Sequence, residues 1–139
     1  MLTLLSVKQD PREKPVPDAW REPIDLWLAH LISTGASEQS VKTRRDHGRR
    51  IARALGGCPS KVTGERLIAW AACQRWARET RRSVYYSARS LFGYLHASSR
   101  IEDNPAATLP AVRPTEPRPR PTPEVIYRTA LADVTQPRV

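Results

Sequence analysis

The stretch TRRSVYYSARSLFGYLHAS, residues 80–98, decides how this chain folds. Val84, Ala88, Leu91, Phe92 and Leu95 recur at three- and four-residue intervals, the period that lines side chains along one face of an α-helix. Arg82, Tyr85, Tyr86, Arg89 and Gly93 fall on the opposite face, with Arg81 at the start. One face is apolar enough to bury and the other is basic, so the segment is expected to be a helix packed against others at a surface.

The preceding segments have the same character. Thr63 can cap a third helix, GERLIAWAACQRWAR, that turns Leu67, Trp70, Ala71 and one of Cys73 or Trp76 inward. Before it, Ser37 can cap EQSVKTRRDHGRRIARAL, which Gly56, Gly57 and Pro59 close. The apolar stripe of this second helix is thin: Val41, Gly48, Ile51, Ala52 and Leu55. Asp18 offers a cap to the first helix, AWREPIDLWLAHLIST, where Pro23 is tolerated only near the start. Trp20, Ile24, Trp27, Leu28 and Leu31 form its buried face, and Gly35 ends it.

Four amphipathic helices with short connections predict an all-α fold, a compact four-helix bundle over residues 18–109. Residues 1–17 carry Pro11, Pro15 and Pro17 among charges and are expected to form an arm. IEDNPAATLP reads as a turn and an exit, because a residue before proline is pushed out of the α region. Residues 110–123 are a Pro/Arg-rich linker. Residues 124–139 are expected to begin a further helix, whose apolar positions Val125, Ile126, Ala130 and Leu131 either fold back on the bundle or open a further domain.

The 139 residues suffice for one domain with tails, and 23 Lys+Arg against 14 Asp+Glu leave a formal charge of +9. That excess makes a polyanion the first partner to consider. No apolar run approaches the roughly 20 residues that span a bilayer. The first residues have no basic region ahead of a short apolar run, so no signal peptide is expected and the location is read as cytoplasmic. Cys58 and Cys73 fit reduced, packed thiols. His30, His47 and His96 are scattered, so no metal site, cofactor or small-molecule ligand is expected. Acidic residues are dispersed and no nucleophile has a recognisable setting, which gives a hydrolase little support.

The charge sits on two helices. The second bears Lys42, Arg44, Arg45, Arg49, Arg50 and Arg53 against Glu38 and Asp46, and like charges crowded at helical spacing are unfavourable until an anion relieves them. On the fourth, Arg81, Arg82 and Arg89 can bond guanine or phosphate, and Tyr85 and Tyr86 can contact sugar or phosphate. One of the two tyrosines can equally plug the core, and the arginine stripe can be merely solvated. The linker adds Arg113, Arg118 and Arg120 on a backbone that proline holds extended. It can follow a phosphate backbone, recruit an adaptor domain, or connect without contacts.

Two stretches, SEQSVKTRRDHGRRIARAL and WARETRRSVYYSARSLFGYL, followed by RIEDNPAATLPAVRPTEPRPRPTPE, resemble the N-terminal core-binding (SAM-like) domain of tyrosine recombinases, the phage-integrase family, and most closely integrases of actinobacteria and their phages. Ala88, Arg89, Leu91, Tyr94 and Leu95 fall on the family's Leu-Arg-x-Phe-x-x-Tyr-Leu pattern, with Ala88 in place of the usual leucine. Asn104-Pro-Ala, the Leu109-Pro pair and the Arg/Pro segment match its exit signature. The likeness runs from about residue 20 to the end.

The resemblance implies a domain whose second and fourth helices approach the major groove of a core-type half-site in double-stranded DNA. Four protomers would act together, and the linker would lead around the duplex to a catalytic domain. Ser40, Thr43 and Arg44 on the second helix and Arg81, Arg82, Tyr85 and Arg89 on the fourth are the contacts that it implies first. Ser40 stands where the family often has threonine. The family cuts DNA with a tyrosine nucleophile in a further domain for which these residues leave no room, so the chain is expected to bind DNA without cutting it, and residues 124–139 to begin that domain. His47-Gly-Arg-Arg50 matches a His-x-x-Arg spacing used in the family's catalysis, but lies far upstream of its place there and reads as fortuitous. The competing readings are a stand-alone binder of DNA or RNA and a protein-interaction module.

Overall fold

The computed structural model describes residues 15–114. Four helices make up the body: α1 (Asp18–Ser33), α2 (Glu38–Leu55), α3 (Gly64–Ala72) and α4 (Arg78–Ala97). Short 3₁₀ turns at Pro59–Lys61 and Pro105–Thr108 complete it. No strand occurs among the described residues. The arm before residue 15, Arg118, Arg120 and the helix expected at 124–139 lie outside them.

The helices meet around Trp20, Trp27, Leu28, Ile51, Leu67, Leu91, Phe92 and Leu95, all buried. Both large indoles also satisfy their polar edge, as buried N–H groups must. Trp27 Nε1 donates to Ser90 Oγ at 2.8 Å, tying α1 to α4, and Trp20 Nε1 donates to the Gly56 carbonyl at 2.9 Å beyond the end of α2. Trp20 meets Phe92 edge to face. Gly48 lets α2 approach α1: a Cβ there would sit 3.0 Å from the Trp27 ring, which is buried and fixed by its bond to Ser90.

The helix ends follow the expected chemistry with two exceptions. Ser37 and Thr63 side chains accept the Ser40 and Arg66 amides, and Gly56 and Gly57 leave α2 at positive φ. Asp18, however, is not a cap. It is the first residue of α1 after Pro17, where its carboxylate faces the positive end of the helix and pairs with Arg21 at 3.5 Å.

The third helix is also shorter than its apolar pattern suggests. Arg81 reaches back from α4 and donates to the carbonyls of Ala71 and Gln74, both at 2.8 Å. A continuing helix would give those carbonyls to the amides of Arg75 and Arg78. Here the Ala71 carbonyl accepts the Gln74 amide at 3.2 Å in a tightened last turn together with the guanidinium, the Gln74 carbonyl accepts the guanidinium, and α3 stops at Ala72. Cys73 is consequently exposed rather than inward, while Trp76 folds back edge to face on Trp70 with ring centroids 5.3 Å apart.

The segment expected to be a simple exit is part of the body. Ile101, Pro105, Ala106 and Leu109 are buried against α3 and α4. Asn104 Oδ1 caps the 3₁₀ turn by accepting the Ala106 amide. The fit is close enough that a Cβ at Gly64 would lie 2.7 Å from Thr108 Oγ1 and 3.2 Å from the Pro105 carbonyl.

Ser99 ends α4 in the left-handed region, φ +64°, with the Ser99 amide on the His96 carbonyl and the Arg100 amide on that of Leu95 at 2.8 Å. This Schellman pattern favours glycine at that position. Replacing Ser99 with glycine is expected to raise stability by about 0.5–1 kcal/mol, the left-handed penalty less glycine's entropic cost. A thermal melt with an unchanged or lower midpoint would show that Ser99 carries no strain.

Candidate nucleic-acid interface

Helices α2 and α4 pack side by side, and polar side chains fill part of their seam. Arg44 Nη1 donates to the Ser83 carbonyl at 3.0 Å and to Ser87 Oγ at 2.8 Å, while its guanidinium lies 4.4 Å from the centre of the Tyr86 ring. Ser87 is fully buried and shares a 2.7 Å hydrogen bond with His47 Nδ1. Arg44 can only donate, so Ser87 accepts from it, and the same hydroxyl is shared with the ring nitrogen of His47. Burial first, then the positive charges of Arg44 and Arg50, hold the His47 pKa below the usual histidine value against the opposing charge of Asp46. The ring is therefore neutral at pH 7. His47 is buried in the packing between α2 and α4.

The outward side of α2 is crowded with positive charge. Lys42 and Arg50 are exposed, and Arg45, Arg49 and Arg53 are half-buried. Burial, followed by the charges of Arg45 and Arg53, pulls the Arg49 pKa down, opposed by Asp46 and Asp25. Burial in turn raises the Asp25 carboxyl on α1, against the pull of Arg49 and Arg21. Arg45 Nε is buried with no hydrogen-bond partner among the described residues. Ser40 is exposed at the helix start, accepting from the Ser37 hydroxyl at 3.0 Å, and Thr43 is half-buried.

The arginines of α4 are differently placed. Arg81 is occupied with the end of α3 and with the Tyr85 hydroxyl at 3.1 Å. Arg82 pairs with Glu79 at 3.0 Å, an exposed contact of little energetic weight, and reaches the Arg113 carbonyl at 3.4 Å. Arg89 donates to the carbonyls of Leu109 and Pro110 at 3.1 and 2.7 Å. Tyr85 is 8% exposed and Tyr86 57%, so Tyr85 is the tyrosine that fills the core and Tyr86 the one that meets solvent. Gly93 has open space where a Cβ would stand. Arg113 is exposed.

The second and fourth helices thus lie together, with Lys42, Arg50 and Tyr86 outward and Arg44 bridging them. Ser83, Ser87, His47 and Arg78 were not among the sequence candidates. The one available signal was Ser83 and Ser87 at i and i+4, small polar residues beside the apolar stripe of α4. Among the described residues no three metal-ligating side chains gather, and no helix is long and apolar enough to cross a membrane.

The architecture defines a class: an all-α domain of four helices with a cationic face on its second. No family model matches the sequence, and no curated protein matches it. Among solved structures, the integrase from mycobacterium phage Brujita is similar, with a TM-score of 0.65 and 23% sequence identity. The match covers 76% of this chain and 37% of that one, so the chain spans little more than a third of that integrase. The likeness is one of fold.

His47 gives the seam a pH dependence. A depressed folded-state pKa means that the unfolded chain binds the extra proton, so the stabilisation is complete above the unfolded value of about 6.5 and declines as pH falls toward the lower folded value. Melts between pH 7.5 and 5 are expected to lose stability by up to about 1.4 kcal/mol per pH unit from this group. Replacing His47 with asparagine should flatten that part of the profile, and an identical profile in the variant would assign it to other groups.

Proposed function

We propose that this chain binds double-stranded DNA as the core-binding domain of a tyrosine-recombinase-type integrase, recognising a core-type half-site through α2 and α4. The observation that carries this reading is the basic face of α2, where Lys42 and Arg50 are exposed and where burial first, and then the neighbouring charges of Arg45 and Arg53, disfavour the charged form of Arg49. A phosphate backbone supplies negative charge beyond that which Asp46 and Asp25 offer this face. The fold shared with a phage integrase supports the same reading.

In this arrangement Lys42, Arg49, Arg50 and Arg53 approach phosphates, and Ser40 and Thr43 add hydroxyl donors near the start of the helix. Tyr86 and Arg44 stand at the α4 edge of the same surface. Arg82 and Arg89 extend the contact along α4, and Arg113, Arg118 and Arg120 along the linker. Phosphate contacts would supply most of the affinity and a few base-edge contacts the sequence preference. Strand cutting would belong to a catalytic domain beyond the linker, and recombination to four protomers assembled on paired half-sites. The chain itself would position DNA.

Selection of bound duplexes from a randomised pool is expected to enrich a motif of half-site length. Replacing Lys42 and Arg50 with alanine, singly and together, should weaken binding across all sequences. Each lost phosphate contact should also reduce the slope of log affinity against log salt by about one. Unchanged affinity and slope in the double variant would remove α2 from the interface, and no duplex binding at low salt would remove DNA as the partner.

A further inference from the structure

Residues 109–114 run along α4 with their peptide carbonyls on its arginines. Arg89 holds the carbonyls of Leu109 and Pro110, Arg82 that of Arg113, and Arg78 that of Pro114 at 3.2 Å. Arg78, Arg82, Tyr85 and Arg89 stand at i, i+4, i+7 and i+11, a single stripe about 16 Å long at 1.5 Å per residue. Five extended steps from Leu109 to Pro114 cover a similar length at about 3.3 Å each. The two runs therefore match along their length.

Between the polar ends the contact is apolar. Leu109 is buried, Val112 packs half-buried on the core, and Pro110 and Val112 border an open groove above Tyr85 and Trp76. Tyr85 lines the same groove. A peptide carbonyl is a neutral acceptor, whereas a phosphate oxygen is charged and takes a shorter, stronger bond from a guanidinium. The carbonyl row thus occupies the arginines in the manner of an anionic backbone, but more weakly.

We propose that residues 110–114, beyond the buried Leu109, are a displaceable strap, docked on the arginine stripe of α4 in the free protein and released when a DNA backbone takes its place. This rests on the DNA reading above and adds its regulation: strap docking and duplex contact at α4 exclude each other. Apparent affinity is then reduced by the fraction of molecules whose strap is docked.

The test uses the full chain and a short mixed-sequence DNA duplex at low salt. A nitroxide on Ala111→Cys, with Cys58→Ser and Cys73→Ser to remove the other thiols, reports whether the strap is held. The label is expected to be immobilised in the free protein and to become mobile as duplex saturates. Val112→Ser and, independently, Pro110→Gly loosen the strap without touching an arginine, and circular dichroism confirms that the bundle still melts cooperatively. Both should bind duplex more tightly, on the order of threefold or more, the inverse of the undocked fraction. A label still immobilised at saturation, or unchanged affinity in both variants, would overturn the strap and leave DNA binding standing. Binding by the loosened variants alone would support it in its strongest form. No binding by any of the proteins would overturn both.

Discussion

The buried Ser87 hydroxyl is the interaction on which the rest of this architecture turns. It accepts from Arg44 and is hydrogen-bonded to His47, so one small, fully buried side chain on α4 meets two polar residues of α2. An arginine so close to a core is tolerable only when its donors find acceptors, since an unpaired buried charge would cost several kcal/mol. With Ser87 and the Ser83 carbonyl in place, Arg44 can bridge the helices, and of the other basic residues of α2 Lys42 and Arg50 are exposed.

The same rule accounts for the distribution of arginine elsewhere. Arg66 donates to the carbonyl of Leu55 at 2.6 Å, covering the end of α2, and Arg81 closes α3 through two carbonyls. Helix C-termini leave carbonyls unpaired, and the planar, multi-donor guanidinium satisfies them in a way that lysine's point charge does less well. The chain's basic character therefore serves two ends. Some arginines hold the helices to one another, and the outward face of α2 presents charge that the protein itself leaves crowded.

How much of this was legible depended on the kind of residue. The apolar stripes of α2 and α4 named their buried residues correctly, Val41, Ile51, Ala52 and Leu55 on one and Val84, Ala88, Leu91, Phe92 and Leu95 on the other, because burial follows helical period directly. The caps at Ser37 and Thr63 were equally readable. The end of α3 was not, because the group that stops it comes from Arg81, nine residues past Ala72 and in another helix. The candidate interface was legible as a concentration of charge on two helices, but periodicity cannot distinguish an arginine that holds a carbonyl from one that faces solvent. The period does separate Tyr85 from Tyr86: Tyr85 stands three and seven residues before Ala88 and Phe92, beside the apolar stripe, whereas Tyr86, about 100° further round the helix, lies opposite it.

The sequence by itself determined four helices, an all-α body and an excess of positive charge on the second and fourth, since period, caps and composition are properties of local sequence. Only the tertiary structure decided how each arginine is employed. Arg44 joins the seam, Arg81 ends a helix, Arg82 and Arg89 hold the segment at 109–114, and Lys42 and Arg50 remain exposed. A guanidinium takes whichever acceptor the folded chain brings within reach. Those acceptors are mostly backbone carbonyls, whose positions are set by packing among distant segments and not by the residues beside the arginine.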